Sequence, residues 1–489
     1  MKKYINRFFM LATLLVAGMA FVSCEKENGP VEGTFTMSVN AVKGGSNASK
    51  ALTGDGDAIN ATWTADDVVK VYKSGVEVGS LTAASSGAST KLNGSITGSI
   101  AEGDNLTLEF LSPDYQNGQD GTLDYIAAHC DYAVANVTVA SISGNEIRIT
   151  GNSATFENQQ AIVKFTLQDK ANDADLSASA FSVEVDGYIY AVVPASVTNE
   201  FYVALPAISD KKVSLFAKTA AGWYSYGQTG ISFANGQYYT ISAKLGQTGK
   251  LPGVFSIDGS NTVHFSQGNL KYASGTWNFH THQYDMVGGT SQTTSNMDLF
   301  YWGGSSKDYG ATQDYNWGGE SEYDAVNWGD NTITNASGSW NTPSTDAWQY
   351  IFNTRSTSTV NGTANARFAR GQVCGVNGVI LFPNRYTHPT DVAQPVDIND
   401  DNNYIVWGTH NVYSSANWAK MEAAGAVFLP AAGHRYGTIV SDVGGYGFYW
   451  SSTATNDNYA WRVYFGEKRV YPDYSSSRYY GQSVRLVCE

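Results

Sequence analysis

Residues 444–485 read GGYGFYWSSTATNDNYAWRVYFGEKRVYPDYSSSRYYGQSVR. Tyr, Ser, Asn, Asp and Gly dominate this stretch. Tyr offers a large amphipathic contact area at low rotamer cost, and Ser, Asn and Gly adapt their hydrogen bonding, which is the chemistry of a recognition surface. The plain alternative is a Tyr-rich strand pair with polar loops. Val463, Phe465, Val484 and Leu486 are placed for a core behind it.

Around this stretch the pattern predicts an α+β region over residues 254–489. Trp is concentrated at Trp277, Trp302, Trp317, Trp328, Trp340 and Trp348. Thr342 with Pro343 behind it suits an N-cap and first helical position, which puts Trp348, Ile351 and Phe352 on one face. Ser414 or Ser415 starts a second helix bearing Trp418 and Met421, with Gly425 placed to end it. Strands are expected at 426–429, 447–452, 460–465 and 482–487.

N-terminal to this, residues 33–245 read as β throughout. Apolar residues alternate at Phe35, Met37, Val39 and Ala41, at Val163, Phe165 and Leu167, and at Phe181, Val183 and Val185. Gly, Asn, Asp and Ser clusters punctuate the runs, which predicts antiparallel sandwiches, two in tandem, split between 151 and 158. Residues 246–253, GQTGKLPG, read as a linker, so 254–489 is expected to fold alone.

The N-terminus carries Lys2, Lys3 and Arg7, an apolar run over 8–22, then Ser23-Cys24. This is the anatomy of an export signal, residues 1–23, and not of a membrane span. The 489 residues suffice for about three domains. A net charge of −14 disfavours nucleic acid and anionic lipid surfaces. Cys130, Cys374 and Cys488 have no CxxC spacing, so neither a disulfide framework nor a cysteine metal site is indicated; a Cys374–Cys488 bridge is left open.

The Ser23-Cys24 junction resembles a bacterial lipobox, which implies an acylated Cys24 and a lipidated leader over 24–32. Glu25-Lys26-Glu27 resembles the acidic signal that exposes lipoproteins on the outer face of an outer membrane. Thr62-Trp63-Thr64-Ala65-Asp66-Asp67, leading into Val68-Val69-Lys70-Val71-Tyr72, is similar to fimbrillin-like proteins, subunits of type V pili and their surface relatives. That resemblance covers 33–245 and implies transthyretin-like β-sandwiches, with Lys50 a candidate cut site if the chain is processed for assembly. Residues 254–489 resemble a C-type-lectin fold of the branch shared by formylglycine-generating-enzyme relatives and the variable proteins of diversity-generating retroelements. Matching segments include 263–270, 348–355, 375–381, 427–433, 449–452 and 483–487.

The second resemblance implies a fixed frame of Trp450, Ser451, Ser452, Gly481, Ser483, Val484, Arg485 and Leu486. It implies exchangeable ligand-binding positions among Tyr449, Thr455, Asn456, Asp457, Asn458, Tyr459, Trp461 and Tyr464. The set continues with Gly466, Tyr471, Asp473, Tyr474, Ser475, Ser476, Tyr479 and Tyr480. Tyr459, Trp461, Tyr464, Tyr471 and Tyr474 are the candidate aromatic anchors, with core packing the alternative for Trp461 and Tyr464.

No catalytic constellation is legible. His280 and His282 sit two apart without a third ligand at metal spacing. His434-Arg435 has the chemistry to bind an anion but better suits a loop contact, and Cys374 with Cys488 does not match the paired cysteines of formylglycine-generating enzymes. Residues 394–403 superficially resemble a calcium loop, but the companion Trp-Asn-Asp motif is absent, and Asp/Asn runs, like Glu320, Glu322 and Asp324, are usually solvated loops. No cofactor or metal is implied.

The sequence reads as an outer-membrane, surface-exposed lipoprotein adhesin whose head binds a protein or glycan noncovalently. The alternative is a structural or tip subunit of a type V pilus contacting other subunits. If Cys24 carries the anchor, Cys24→Ala abolishes lipid labelling and moves the protein out of the membrane fraction, because multiple acyl chains are what hold a protein stably. Wild-type protein without lipid overturns this expectation.

Overall fold

The computed structural model describes residues 31–43, 53–55, 58–60, 62–112, 118–289, 291–302 and 333–489. The signal segment, Cys24, Lys50, Trp317, Trp328, Glu320, Glu322 and Asp324 lie outside the described residues. The protein is mainly β.

The first sheet has eight strands in the order Ser153–Asn158, Val31–Lys43, Ser89–Ile100, Val76–Ala83, Val68–Lys73, Asn105–Leu111, Tyr132–Ser143, Glu146–Ile149. Phe35, Met37, Val39 and Ala41 are buried while their neighbours on Val31–Lys43 face out, the period of two that a half-buried strand requires. The sheet closes on itself: Glu157 pairs with Val134 and Thr36 with Glu146. An open sandwich was the expectation; closure removes both free edges. Trp63 fills the core edge-on to Phe110 and Phe156, with ring centroids 5.6 and 5.0 Å away. The Lys43 ammonium lies over Phe110 at 4.3 Å and pairs with buried Asp131 at 3.0 Å.

The second sheet has two layers joined where Tyr224 pairs with Gln247. One layer holds Tyr188–Val192, Ala180–Val185, Ile208–Thr219 and Gly222–Phe233; the other holds Tyr238–Gln247, Gln160–Asp169 and Glu200–Pro206. Phe181 packs against Phe165 at 5.1 Å and Phe201 at 5.0 Å, so the inner faces meet as alternation predicts. The all-antiparallel expectation fails in both sheets. Val31–Lys43 runs parallel to Ser153–Asn158, and Gln160–Asp169 parallel to Tyr238–Gln247, because an early and a late strand of each unit lie side by side. The pattern also missed the helix Leu123–His129, which Thr122 caps by accepting from Tyr125 N.

In the C-terminal region Ser344, not Thr342, caps the helix Thr345–Gln349, and Trp348, Ile351 and Phe352 are buried. Ser414 caps Ser415–Ala423, which buries Trp418 and Met421, and Gly425 follows at φ +95, a left-handed conformation that glycine adopts without cost. Phe368–Val373, Val376–Leu381 and Val427–Pro430 form one sheet with Val412–Tyr413. Gly447–Asn456, Tyr459–Phe465 and Val470–Ser477 form another. The strand expected at 482–487 is reduced to Val487–Cys488, paired with Thr262–Phe265. Cys130, Cys374 and Cys488 are free thiols, so the bridge left open by the sequence is not formed.

Residues 246–253 are not a free tether. Tyr238–Gln247 runs into them, Thr248 N and Gly249 N donate to Trp223 O, and Leu251 is buried. Phe216 and Trp223 of the second sheet share one apolar cluster with Leu251, Phe255, Phe265 and Trp348. Ala180–Val185 is buried on both faces, and Ser182 Oγ donates to Ala423 O at 2.7 Å. The joint is thus a shared core. A fragment of 254–489 is therefore expected to melt below the full chain, and Trp223→Ala to cost about 3–5 kcal/mol in the full chain. Calorimetry checks both; a fragment as stable as the full chain shows that the joint contributes nothing.

Candidate binding face

The three-stranded sheet places its residues on two faces. Tyr449, Val463, Phe465 and Val470 point into the core with Trp348, and Gly447 clears the space that the Phe465 ring fills. Phe448, Arg462 and Tyr464 alternate with these and point the other way.

Val470–Ser477 carries the decisive irregularity. Tyr464 pairs with Tyr471, and Arg462 pairs with Tyr474, so one residue of the first strand, Val463, stands opposite two of the other, Pro472 and Asp473. This bulge brings Tyr471 and Tyr474 onto the same face, 5.7 Å apart, although residues three apart on a regular strand face opposite ways. Rings then run without a gap across the sheet. Tyr464 stacks on Phe448 at 5.4 Å, on Tyr446 at 5.8 Å and on Tyr471 at 5.9 Å. His434 meets Phe448 at 5.4 Å and Tyr480 at 5.1 Å, and Tyr480 leads to Tyr479 and Tyr436.

Of the residues singled out by the sequence, Tyr464, Tyr471, Tyr474, Tyr479 and Tyr480 are gathered on this face. Asn456, Asp457, Asn458 and Tyr459 form the exposed tip of the hairpin beside it. Trp461 and Ser475 pair with each other on the opposite side, and Asp473 accepts from Gln349 Nε2 at 2.9 Å on the helix that covers that side. Two candidates are corrected outright. Tyr449 is wholly buried and its hydroxyl donates to Pro430 O at 2.9 Å, because strand alternation turns it inward. Ser476 is buried opposite Ala460 and bonds Gln482 Nε2 at 3.2 Å. The residues implied as a frame are buried, with Ser452 half-buried.

Sequence reasoning missed Tyr436, His434, Tyr446, Phe448 and Arg462. For Arg462 the signal was available: it stands two residues before Tyr464 on one strand, hence on its face. Its guanidinium lies 4.4 Å over Phe448, 5.4 Å from Tyr474 and 5.7 Å from Tyr464. Burial pushes its pKa down to about 10, opposed by Tyr474, Tyr464 and Tyr480, so it stays charged at neutral pH. Burial also lowers the His434 pKa; Asp442 at 3.2 Å acts against this and the Arg462 charge acts with it.

Other candidates are engaged locally. His280 Nε2 meets buried Asp298 at 3.0 Å, while His282 Nδ1 meets Asp285 at 3.1 Å, so the two share no ligand. In 394–403 Asp397 pairs with His410 at 2.6 Å and Asp400 Oδ1 accepts from Asn403 N at 3.0 Å, the bonding of a solvated turn.

The family model described as Domain of unknown function (DUF8237) matches residues 406–487, which contain all three strands of the face. No curated protein matches the chain. Among solved structures it is similar to a putative cell adhesion protein from Bacteroides uniformis, at 13% identity over 43% of this chain and 93% of that one, TM-score 0.24. It is similar to a C-terminally truncated tip fimbrial protein from Porphyromonas gingivalis, at 9% over 43% and 95%, TM-score 0.26. A fimbrial protein from Bacteroides ovatus aligns at 10% over 95% and 99%, TM-score 0.22. Likeness of this size fixes neither the fold nor the role of this chain.

Proposed function

We propose that this protein is a cell-surface adhesin, anchored through a lipidated Cys24, which binds a ligand noncovalently through the tyrosine face. In this reading 33–245 is a fimbrillin-like stalk and 254–489 a C-type-lectin-like head whose face retroelement diversification rewrites. The carrying observation is the continuous set of rings on one side of Gly447–Asn456, Tyr459–Phe465 and Val470–Ser477, backed by a buried frame. Exposed apolar side chains cluster there as well, with Tyr474 at 48%, Tyr436 at 46% and Ile439 at 64% exposure. Contiguous exposed apolar surface of this kind marks interaction sites.

A second reading, a pilus subunit, is supported by the edge strands Tyr188–Val192 and Glu200–Pro206. They flank a cavity of about 350 Å³ that both edges line; among the described residues Gln119 pairs with Val192 at one edge and Tyr202 N donates to Gly121 O at the other. An open edge can accept a strand from a neighbour. Fibres that form in wild type, and fail to form when Ala191→Pro blocks that edge, favour this reading.

A paired alanine scan tests the adhesin. Tyr471→Ala, Tyr474→Ala and Tyr479→Ala are expected to shift stability by no more than about 0.5–1 kcal/mol. Each hot spot among them weakens binding to a cell-surface or glycan panel by about 2 kcal/mol or more. Leu486→Ala, in the core, is expected to cost about 2–5 kcal/mol in stability. If the tyrosine variants unfold like the Leu486 variant and binding tracks the folded fraction alone, the rings are structural and the proposal fails.

A further inference from the structure

Each buried arginine among the described residues gives at least one N–H to an acceptor in the chain. Arg355 Nε donates to Ile351 O at 2.7 Å, Arg370 Nη1 to Glu467 O at 2.8 Å and Arg435 Nη1 to Gly437 O at 2.8 Å. Arg462 differs. It is half-buried, its side chain makes no hydrogen bond and no ion pair among the described residues, and its Nε is buried without an acceptor. The rings around it attract the cation but offer no lone pair in the guanidinium plane, so its N–H fork is left unused. A buried donor without an acceptor is a standing cost, which a ligand that supplies one removes.

We propose that Arg462 is the anchor for a single carboxylate, an Asp or Glu side chain that a protein ligand projects into the tyrosine face; this rests on the binding-face reading above. A carboxylate takes two N–H groups of a guanidinium in parallel, a geometry that the two terminal nitrogens of Arg462, which are not buried, can meet. Surrounding Tyr474 and Tyr464 exclude water from the pair and supply apolar contact to the stem of the incoming side chain. The net charge of −14 argues for one carboxylate on an otherwise neutral or basic surface, because a polyanion is repelled as it approaches. The spread of rings argues for a protein. The rings run across the width of the three-stranded sheet, whereas a small acidic sugar needs a concave site. His434 is a built-in reporter, since a carboxylate on Arg462 cancels the charge that helps hold the imidazole neutral.

The test uses the full chain with isotope-labelled arginine and histidine. The Arg462 Nε–H resonance is assigned by its loss in Arg462→Gln. N-acetylglutamate N-methylamide at high millimolar concentration is expected to move that resonance and to raise the His434 pKa, and the glutamine analogue is expected to do neither. On the cell-surface panel Arg462→Gln is expected to weaken binding roughly thirtyfold or more while Arg462→Lys retains part of it. No movement, equal movement with both probes, or tighter response to N-acetylneuraminic acid or heparin overturns the proposal. If Arg462→Gln fails to fold, the probe titration of the parent and of Arg462→Lys decides alone. A panel on which tyrosine variants lose binding while Arg462→Gln keeps it leaves the face standing and removes the carboxylate. A resonance that answers only the glutamate probe, with no tyrosine effect on the panel, keeps the anion site and removes the adhesin reading.

Discussion

Gln283, wholly buried, holds the C-terminal region in one arrangement. Its amide nitrogen donates to Glu422 Oε1 at 3.0 Å and Ala426 O at 3.2 Å, and its oxygen accepts from Phe428 N at 2.7 Å and Arg485 Nη2 at 2.9 Å. The other Glu422 oxygen takes the ammonium of Lys218 from the second sheet. A helix, a strand and the C-terminal segment therefore meet on Gln283, and its partner Glu422 ties in the neighbouring sheet. Any other docking strands buried polar groups, at about 1–3 kcal/mol each and more for the charges. Arg485 keeps two nitrogens without acceptors, and burial pushes its pKa down to about 10. Unsatisfied nitrogens make the network costly, while its many partners tie these elements to one register.

That register supports the face. Ser483 N donates to Phe448 O and Trp450 N to Ser483 O, so the segment fixed by Arg485 also fixes the strand that carries Phe448. Trp450 Nε1 donates to Phe300 O at 2.8 Å from the other side. Rings presented by a hydrogen-bonded frame lose little freedom when they meet a partner, which is how preorganised surfaces gain affinity. Along Gly447–Asn456 and Tyr459–Phe465, the residues that alternate with Tyr449, Val463 and Phe465 are the ones that carry the rings and Arg462.

Much of the fold was legible because alternation is local. Phe35, Met37, Val39 and Ala41 read as a core face and are one, and Ser414 and Gly425 bound a helix as capping chemistry requires. The helix Leu123–His129 was illegible because seven residues carry too little periodicity to stand out between strands. The linker reading failed for a different reason. Gly and Pro describe what a segment can do when free, whereas Trp223 O and the cluster around Leu251 decide that this one is held.

By itself the sequence placed strands at 447–452 and 460–465 within a stretch rich in Tyr, Ser, Asn and Asp, with adjacent aromatics such as Phe448 and Tyr449 on opposite faces, but it gave no strand for Val470–Ser477. It placed Val463 and Phe465 toward a core yet set Tyr449 among the binding positions, since the burial of Tyr449 depends on Trp348 and Pro430, distant in the chain and adjacent in space. Nor does any local rule place Tyr471 beside Tyr474. Their union depends on the pairing of Arg462 and Tyr464 across the sheet, because a bulge is a property of two strands together. The open guanidinium at its centre is likewise tertiary: an arginine in the sequence carries no sign of whether the folded chain will supply its acceptors.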